Sequence, residues 1–373
     1  MKLPAFELER YFARYEFKTE FNLCPSDCES FSLSELLSMA DDESRTLWEN
    51  LRLEYTESQG LPLLRKEIAS LYAGLSSENI LLAVPEEGIF LAFNSILEPH
   101  DHIIALTPAY QSLYSIPESM GCTVTSWPVR EEKGEWTIDI DGLEALIRPT
   151  TKMIVVNFPH NPTGYMPTEK DFLKIIDIAS HHDLYLFSDE MYRFLEFDEA
   201  SRLPSPCTLY EKAITLGGLS KAFGLPGLRM GWLASQNSTF LNICAQLKDY
   251  TTICASSPAE ILSLIGLRNK ARILHRNRTL LAKNLKEVEK LFSEYGNLLH
   301  WTPPKGGSIA YPELKSDISI ETFCQKAIEQ YGVMILPGTV FGSVENRFRV
   351  GFGRASLSEA LKQFAVFLKN WKG

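Results

Sequence analysis

No stretch of this chain is apolar for long enough to cross a bilayer, and basic residues are in the minority. Lys and Arg number 37 against 47 Asp and Glu, for a formal net charge of −10. That balance argues against a surface built to grip duplex nucleic acid. The most basic stretch, Arg268 to Lys283, reads as one solvated helix face. Cysteine is sparse and scattered. Cys24 and Cys28 lie four apart, but neither a second pair nor a cysteine–histidine cluster completes a metal site, so no metal is expected. Internal repeats and low-complexity linkers are missing. So is the secretory pattern of basic start, apolar run and small-residue cleavage site, since Met1-Lys2-Leu3-Pro4 soon meets Glu7, Glu9 and Arg10. These absences lead to the expectation of a soluble cytoplasmic protein that uses neither membrane nor nucleic acid as a partner.

What is present is ordinary globular material: 373 residues, 45% hydrophobic and 23% charged. The length exceeds what a single core usually serves and predicts two domains. Residues 1–45 form an arm. Leu61, Leu64, Ile68 and Leu71 share a helical face. Short apolar runs then recur at Ile80–Val84, Ile103–Leu106, Met153–Val156, Leu184–Phe187 and Ala213–Leu216, with amphipathic helices such as Glu87–Leu97 and Glu169–Ala179 between them. Continuous apolar strands separated by helices require a sheet covered on both faces. The expected fold is therefore α/β: a three-layer large domain (46–270) with a mostly parallel sheet. One long helix over 268–295 leads into a smaller α+β domain, made from the arm and residues 271–373. In that last part Thr322–Tyr331 and Ser358–Trp371 read as helices, and Val333–Leu336 and Arg347–Phe352 as strands.

Four segments fall at predicted strand ends, where ligands bind in such sheets. They are Thr107-Pro-Ala-Tyr110, Asn157-Phe-Pro-His-Asn161-Pro-Thr-Gly164, Asp189-Glu-Met-Tyr192, and Gly217-Gly-Leu-Ser220-Lys221 followed by Arg229. Each alone also reads as an ordinary turn or helix cap. In this order, however, they resemble the class I and II aminotransferases of the fold-type-I pyridoxal-phosphate (PLP) enzymes.

The resemblance implies PLP as cofactor and a role for each matched residue. Lys221 matches the lysine that holds the cofactor aldehyde as a Schiff base and later shuttles protons. Asp189 matches the carboxylate that keeps the pyridine nitrogen protonated. Asn161 and Tyr192 match the pair bonded to the ring's phenolic oxygen, and Tyr110 the aromatic stacked on the ring. Ser220 and Arg229 match phosphate ligands. Tyr55 resembles a tyrosine that reaches the neighbouring subunit's phosphate, which implies a homodimer with shared active sites; an ordinary core tyrosine is the other reading. Arg349 matches the clamp on the substrate α-carboxylate, although Arg347 would share its strand face.

Three departures accompany the resemblance. Relatives usually place a small residue and a glycine before the helix that receives the phosphate. Here the segment is Leu82-Ala-Val-Pro85-Glu86-Glu87-Gly88, in which Pro85 offers no amide and the two acids would repel phosphate if they faced inward. Gly218 stands where many relatives have a hydroxyl residue. Cys24-Pro-Ser-Asp27 replaces a glycine-containing substrate loop. The implied reaction is transamination between an L-amino acid and a 2-oxo acid. An amino-acid lyase or cyclase working through the same carbanion, or a noncatalytic ligand-binding relative, are the alternatives.

Overall fold

The computed structural model describes residues 2–371. Its centre is an eight-stranded sheet in the spatial order Ile80–Ala83, Gly231–Ala234, Ala213–Gly218, Tyr185–Asp189, Thr151–Asn157, His102–Thr107, Thr123–Glu132, Glu135–Ile138. The five strands from Ala213–Gly218 to Thr123–Glu132 run parallel, while Gly231–Ala234 and Glu135–Ile138 run antiparallel to their neighbours. Buried apolar clusters lie on both faces. One packs Phe93 against Phe187 with ring centroids 5.1 Å apart, and another joins Phe158, Phe172 and Tyr165. This sandwiching is why the central strands carry unbroken runs of Ile, Val and Leu.

All five apolar runs are strands of this sheet, and the three strands they omit have identifiable reasons. Thr123–Glu132 is a long strand near the sheet margin with only Trp127 and Val129 buried, so it shows no continuous apolar signal. Its hairpin partner follows Lys133 and Gly134, both at positive φ (54° and 81°), the geometry of a tight two-residue turn. Gly231–Ala234 is too short to display a period.

The arm and the C-terminal segment build the smaller unit together. Phe21–Asn22 pairs in parallel with Val333–Met334, and Leu336–Pro337, Phe348–Gly351 and Ile309–Ala310 form an antiparallel sheet beside it. Helices Ile320–Tyr331 and Leu357–Asn370 cover it through Phe323, Phe364, Phe367 and Trp371. The arm crosses close over this sheet. A Cβ on Gly351 would lie 1.7 Å from the Pro25 carbonyl oxygen, so only glycine permits the approach. One expectation needs correction. The stretch predicted as a single strand over 333–336 divides at Ile335 into two pairings. The long helix predicted over 268–295 is present as Lys270–Glu294, and a separate helix, Ser257–Arg268, precedes it across Asn269. Arg268 is also less solvated than expected: it bonds Asp41, Glu43 and Glu67 and so ties the arm to the large unit. Among the described residues no helix is long and apolar enough to cross a membrane.

Candidate active site

The strand ends deliver their side chains to one cavity of about 380 Å³ between the large sheet and the smaller unit. Asp189 ends its strand in register with Asn157 on the neighbouring one. Asn157 uses both ends of its amide. Its Nδ2 donates to the Asp189 carbonyl at 2.8 Å, and its Oδ1 accepts from the Asn161 backbone N–H at 2.7 Å. One side chain thereby fixes two residues at the mouth of the sheet, a positioning role the sequence reading missed. The signal was available, because an asparagine closing an apolar run is out of place unless its amide is satisfied.

Asp189 is buried, and desolvation raises its pKa to about 6, against the lowering effects of the Met191 amide (3.0 Å from Oδ1) and of Lys221. A carboxylate held this way gains most from a nearby cation. Tyr192 is buried in the same wall, and its hydroxyl has no hydrogen-bond partner. An orphaned buried hydroxyl costs roughly 1–3 kcal/mol, which a ligand acceptor would recover. Lys221 donates from Nζ to Ser26 Oγ at 2.8 Å, so the arm loop closes over the lysine. The sequence marks Ser26 only as part of an unusual loop, because the contact spans 195 positions.

Arg349 lies on the floor, fully buried. It donates to Asn161 Oδ1 and to the Cys24 carbonyl, each at 3.1 Å, while its Nε has no partner. Arg347, the rival by register, faces Glu131, Glu313 and Glu345 outside the cavity. Tyr110 stands in the wall beside Phe6, with ring centroids 5.1 Å apart. Ser220 and Arg229 line one end. Arg229 is exposed, with one guanidinium nitrogen on the Pro226 carbonyl at 3.0 Å. Tyr55 is not brought to this cavity by its own chain; it is 85% exposed.

The two acids of the atypical loop separate. Glu87 turns away and accepts from Thr251 and Thr252. Glu86 lines the cavity and accepts from Ser112, and its pKa is raised by burial. Its carboxyl is engaged by the Ser112 hydroxyl rather than left free to face the cavity. Gly218 is explained by the same loop: a Cβ there would come within 2.8 Å of Met191 Cε and 3.2 Å of Pro85 Cγ. Met191, and behind it Pro85, fill the space that a side chain would need.

The donor set suits a phosphorylated pyridine aldehyde. It offers an amine, a buried carboxylate that gains from a cation, an orphaned hydroxyl and an arginine facing one cavity. Two solved proteins that this chain is similar to are named as PLP-dependent. The chain belongs to the aminotransferase class I and II family, whose model matches residues 18–366, and its fold is that of the fold-type-I PLP enzymes. It is 28% identical over 371 residues to capreomycidine synthase of Streptomyces vinaceus, covering 96% of this chain and 94% of that one. A PLP-dependent aminotransferase from Streptococcus suis 89-1591 superposes with a TM-score of 0.92 at 33% identity, covering 100% of both chains. The PLP-dependent cyclase OrfR, solved in complex with Au, superposes at 0.90 with 27% identity, over 99% of this chain and 98% of that one.

Proposed function

We propose that this protein catalyses PLP-dependent transamination between an L-α-amino acid and a 2-oxo acid. The observation that carries the reading is the meeting of Lys221, Asp189 and Arg349 in one cavity, drawn from three separated parts of the chain. When bound, the cofactor supplies an aldehyde that condenses with amines and a ring that accepts the electron pair left when Cα loses a proton. Lys221 is the covalent anchor and the base: its Nζ takes the proton from the substrate Cα and returns one on the other side of the reaction. Asp189 holds the proton on the ring nitrogen, and its ionised form is the one that the opposing charge stabilises. Tyr192 and the Asn161 amide nitrogen donate to the ring's phenolic oxygen. Asn161 is oriented for this because its Oδ1 is already engaged by Arg349. Tyr110 covers one ring face. Arg349 receives the α-carboxylate and so fixes Cα relative to Lys221.

Ser220, Arg229 and the amides opening the helix Pro85–Ile96 serve the phosphate, with Tyr55 supplied by a second subunit. The exposure of Tyr55 supports that homodimer, since its own chain leaves the ring uncovered. We take residues 46–270 as the cofactor-binding unit, with the arm and C-terminal segment as the unit that closes on it. A cyclase or lyase is the second reading, favoured by the similarity to capreomycidine synthase and to the cyclase OrfR. Incubating PLP-loaded protein with single amino acids and several 2-oxo acids separates the two. Stoichiometric exchange of amino group for oxo group supports transamination; ring closure or ammonia release without an acceptor supports the second reading.

A further inference from the structure

Five carboxylates and four cations line the cavity, and most of them are matched locally, which isolates the few that are not. Asp189, Lys221 and Arg349 face the reacting centre, Arg229 the phosphate end, and Glu86 is bonded to Ser112. At the rim, Arg354 bonds Asp27 at 2.8 Å and Ser30 at 3.0 Å, so its charge is spent within the protein. Glu9 and Glu16 remain. No hydrogen bond or ion pair among the described residues engages either carboxylate. They are seven apart on the arm helix Glu7–Tyr15 and its C-terminal cap, and with Phe12 between them they present one helical face to the cavity.

The position of Glu16 is unfavourable for folding alone. It caps the C-terminal end of its helix, where the helix dipole repels negative charge. Partial burial, followed by the fields of Glu9 and Asp27, raises its pKa, against the opposing effect of Arg354. The cost disappears if a cation sits between the acids. A second group of the same cavity is also unmatched: fully buried Arg349, a lining residue, has an Nε with no partner. A carboxylate at the floor and a cation at the rim describe a single molecule. Leu8 and Phe12 supply an apolar wall for the stem between them.

On the amino-acid-transforming reading given above, we propose that the substrate carries a cationic side chain of guanidinium or ammonium type, selected by Glu16 and Glu9 of the arm helix. Arg354 does not redirect the site toward acidic side chains, because Asp27 already neutralises it.

The test is a titration of PLP-loaded protein with L-arginine, L-citrulline and L-glutamate, reading substrate binding from the change in the bound cofactor's absorbance. Citrulline has arginine's shape without its charge. Arginine is expected to bind at least about tenfold more tightly than citrulline, the scale of one charge-assisted contact, with glutamate weakest. Glu16→Gln is expected to reduce the arginine-to-citrulline ratio to about threefold or less, and the double variant Glu9→Gln/Glu16→Gln to remove it. Equal binding of arginine and citrulline, or a preference that survives the double variant, overturns the proposal and leaves the aminotransferase reading in place. If no amino acid perturbs the spectrum of loaded protein, the aminotransferase reading fails and this proposal fails with it.

Discussion

Arg349 donates to the side-chain oxygen of Asn161 across 188 positions of sequence, at 3.1 Å and out of reach of solvent. The bond joins the smaller unit's sheet to the loop that follows a central strand of the large one. It ties the group assigned to the substrate carboxylate to a group assigned to the cofactor ring. Placement of the substrate is thereby coupled to placement of the ring.

Arg349→Ala is expected to weaken binding of α-amino acids about 100-fold, the loss of a buried charge-assisted pair. Binding of the corresponding amines without a carboxylate should change far less. Titration of loaded protein with each amino acid and its decarboxylated amine measures the contrast. Equal losses for both would show that Arg349 supports the fold of the site rather than gripping the carboxylate.

Asp189→Asn should trade activity for stability. Burial holds the Asp189 pKa at about 6, above the carboxylate's ordinary 3.8. A carboxyl whose folded pKa is raised favours the folded state fully below its unfolded pKa, and that contribution is lost as pH rises through the folded value. Its ionised form therefore costs cofactor-free protein on the order of 3 kcal/mol above about pH 6. The neutral variant should unfold at higher temperature than the parent at pH 8, with the gap closing toward pH 4, while turnover falls by orders of magnitude. Thermal unfolding of cofactor-free protein at the two pH values decides it.

Much of this was legible in the sequence because the chemistry and the central strands are local. Asp189 follows the apolar run Leu184–Phe187, and Lys221 follows Ala213–Leu216, so strand ends and site residues appear together. What escaped was non-local. The Lys221–Ser26 bond, the Asn157 bridge and the rim formed by Glu9 and Glu16 depend on which segments fold against one another. The direction taken by Glu86 and Glu87 also had no sequence signature. Adjacent helical residues point about 100° apart, and only the positions of Ser112 and Thr251 decide which acid enters the cavity.

Tyr192→Phe is expected to act with opposite signs on the two forms of the protein. Without cofactor the variant should be more stable by about 1 kcal/mol, since an unpartnered buried hydroxyl is removed. With cofactor the advantage should vanish or reverse, and PLP affinity should drop. Chemical denaturation with and without PLP reads both. A variant less stable in both forms would mean that the hydroxyl has a partner within the protein.

Tyr55 provides the test of site sharing. Mixed dimers of Lys221→Ala and Tyr55→Phe subunits, assayed at a PLP concentration that impairs both parents, should recover part of the parental activity, because one of the two sites regains both residues. Mixed dimers that form without recovery would place Tyr55 outside the partner's site.

The central claim is that Lys221 is the covalent anchor. The direct measurement is borohydride reduction of PLP-loaded protein followed by proteolysis and mass spectrometry of the labelled peptide. A single adduct on Lys221, absent from Lys221→Ala, is the expected result. Label on another lysine in folded protein, or cofactor bound tightly with no reducible linkage, would contradict it.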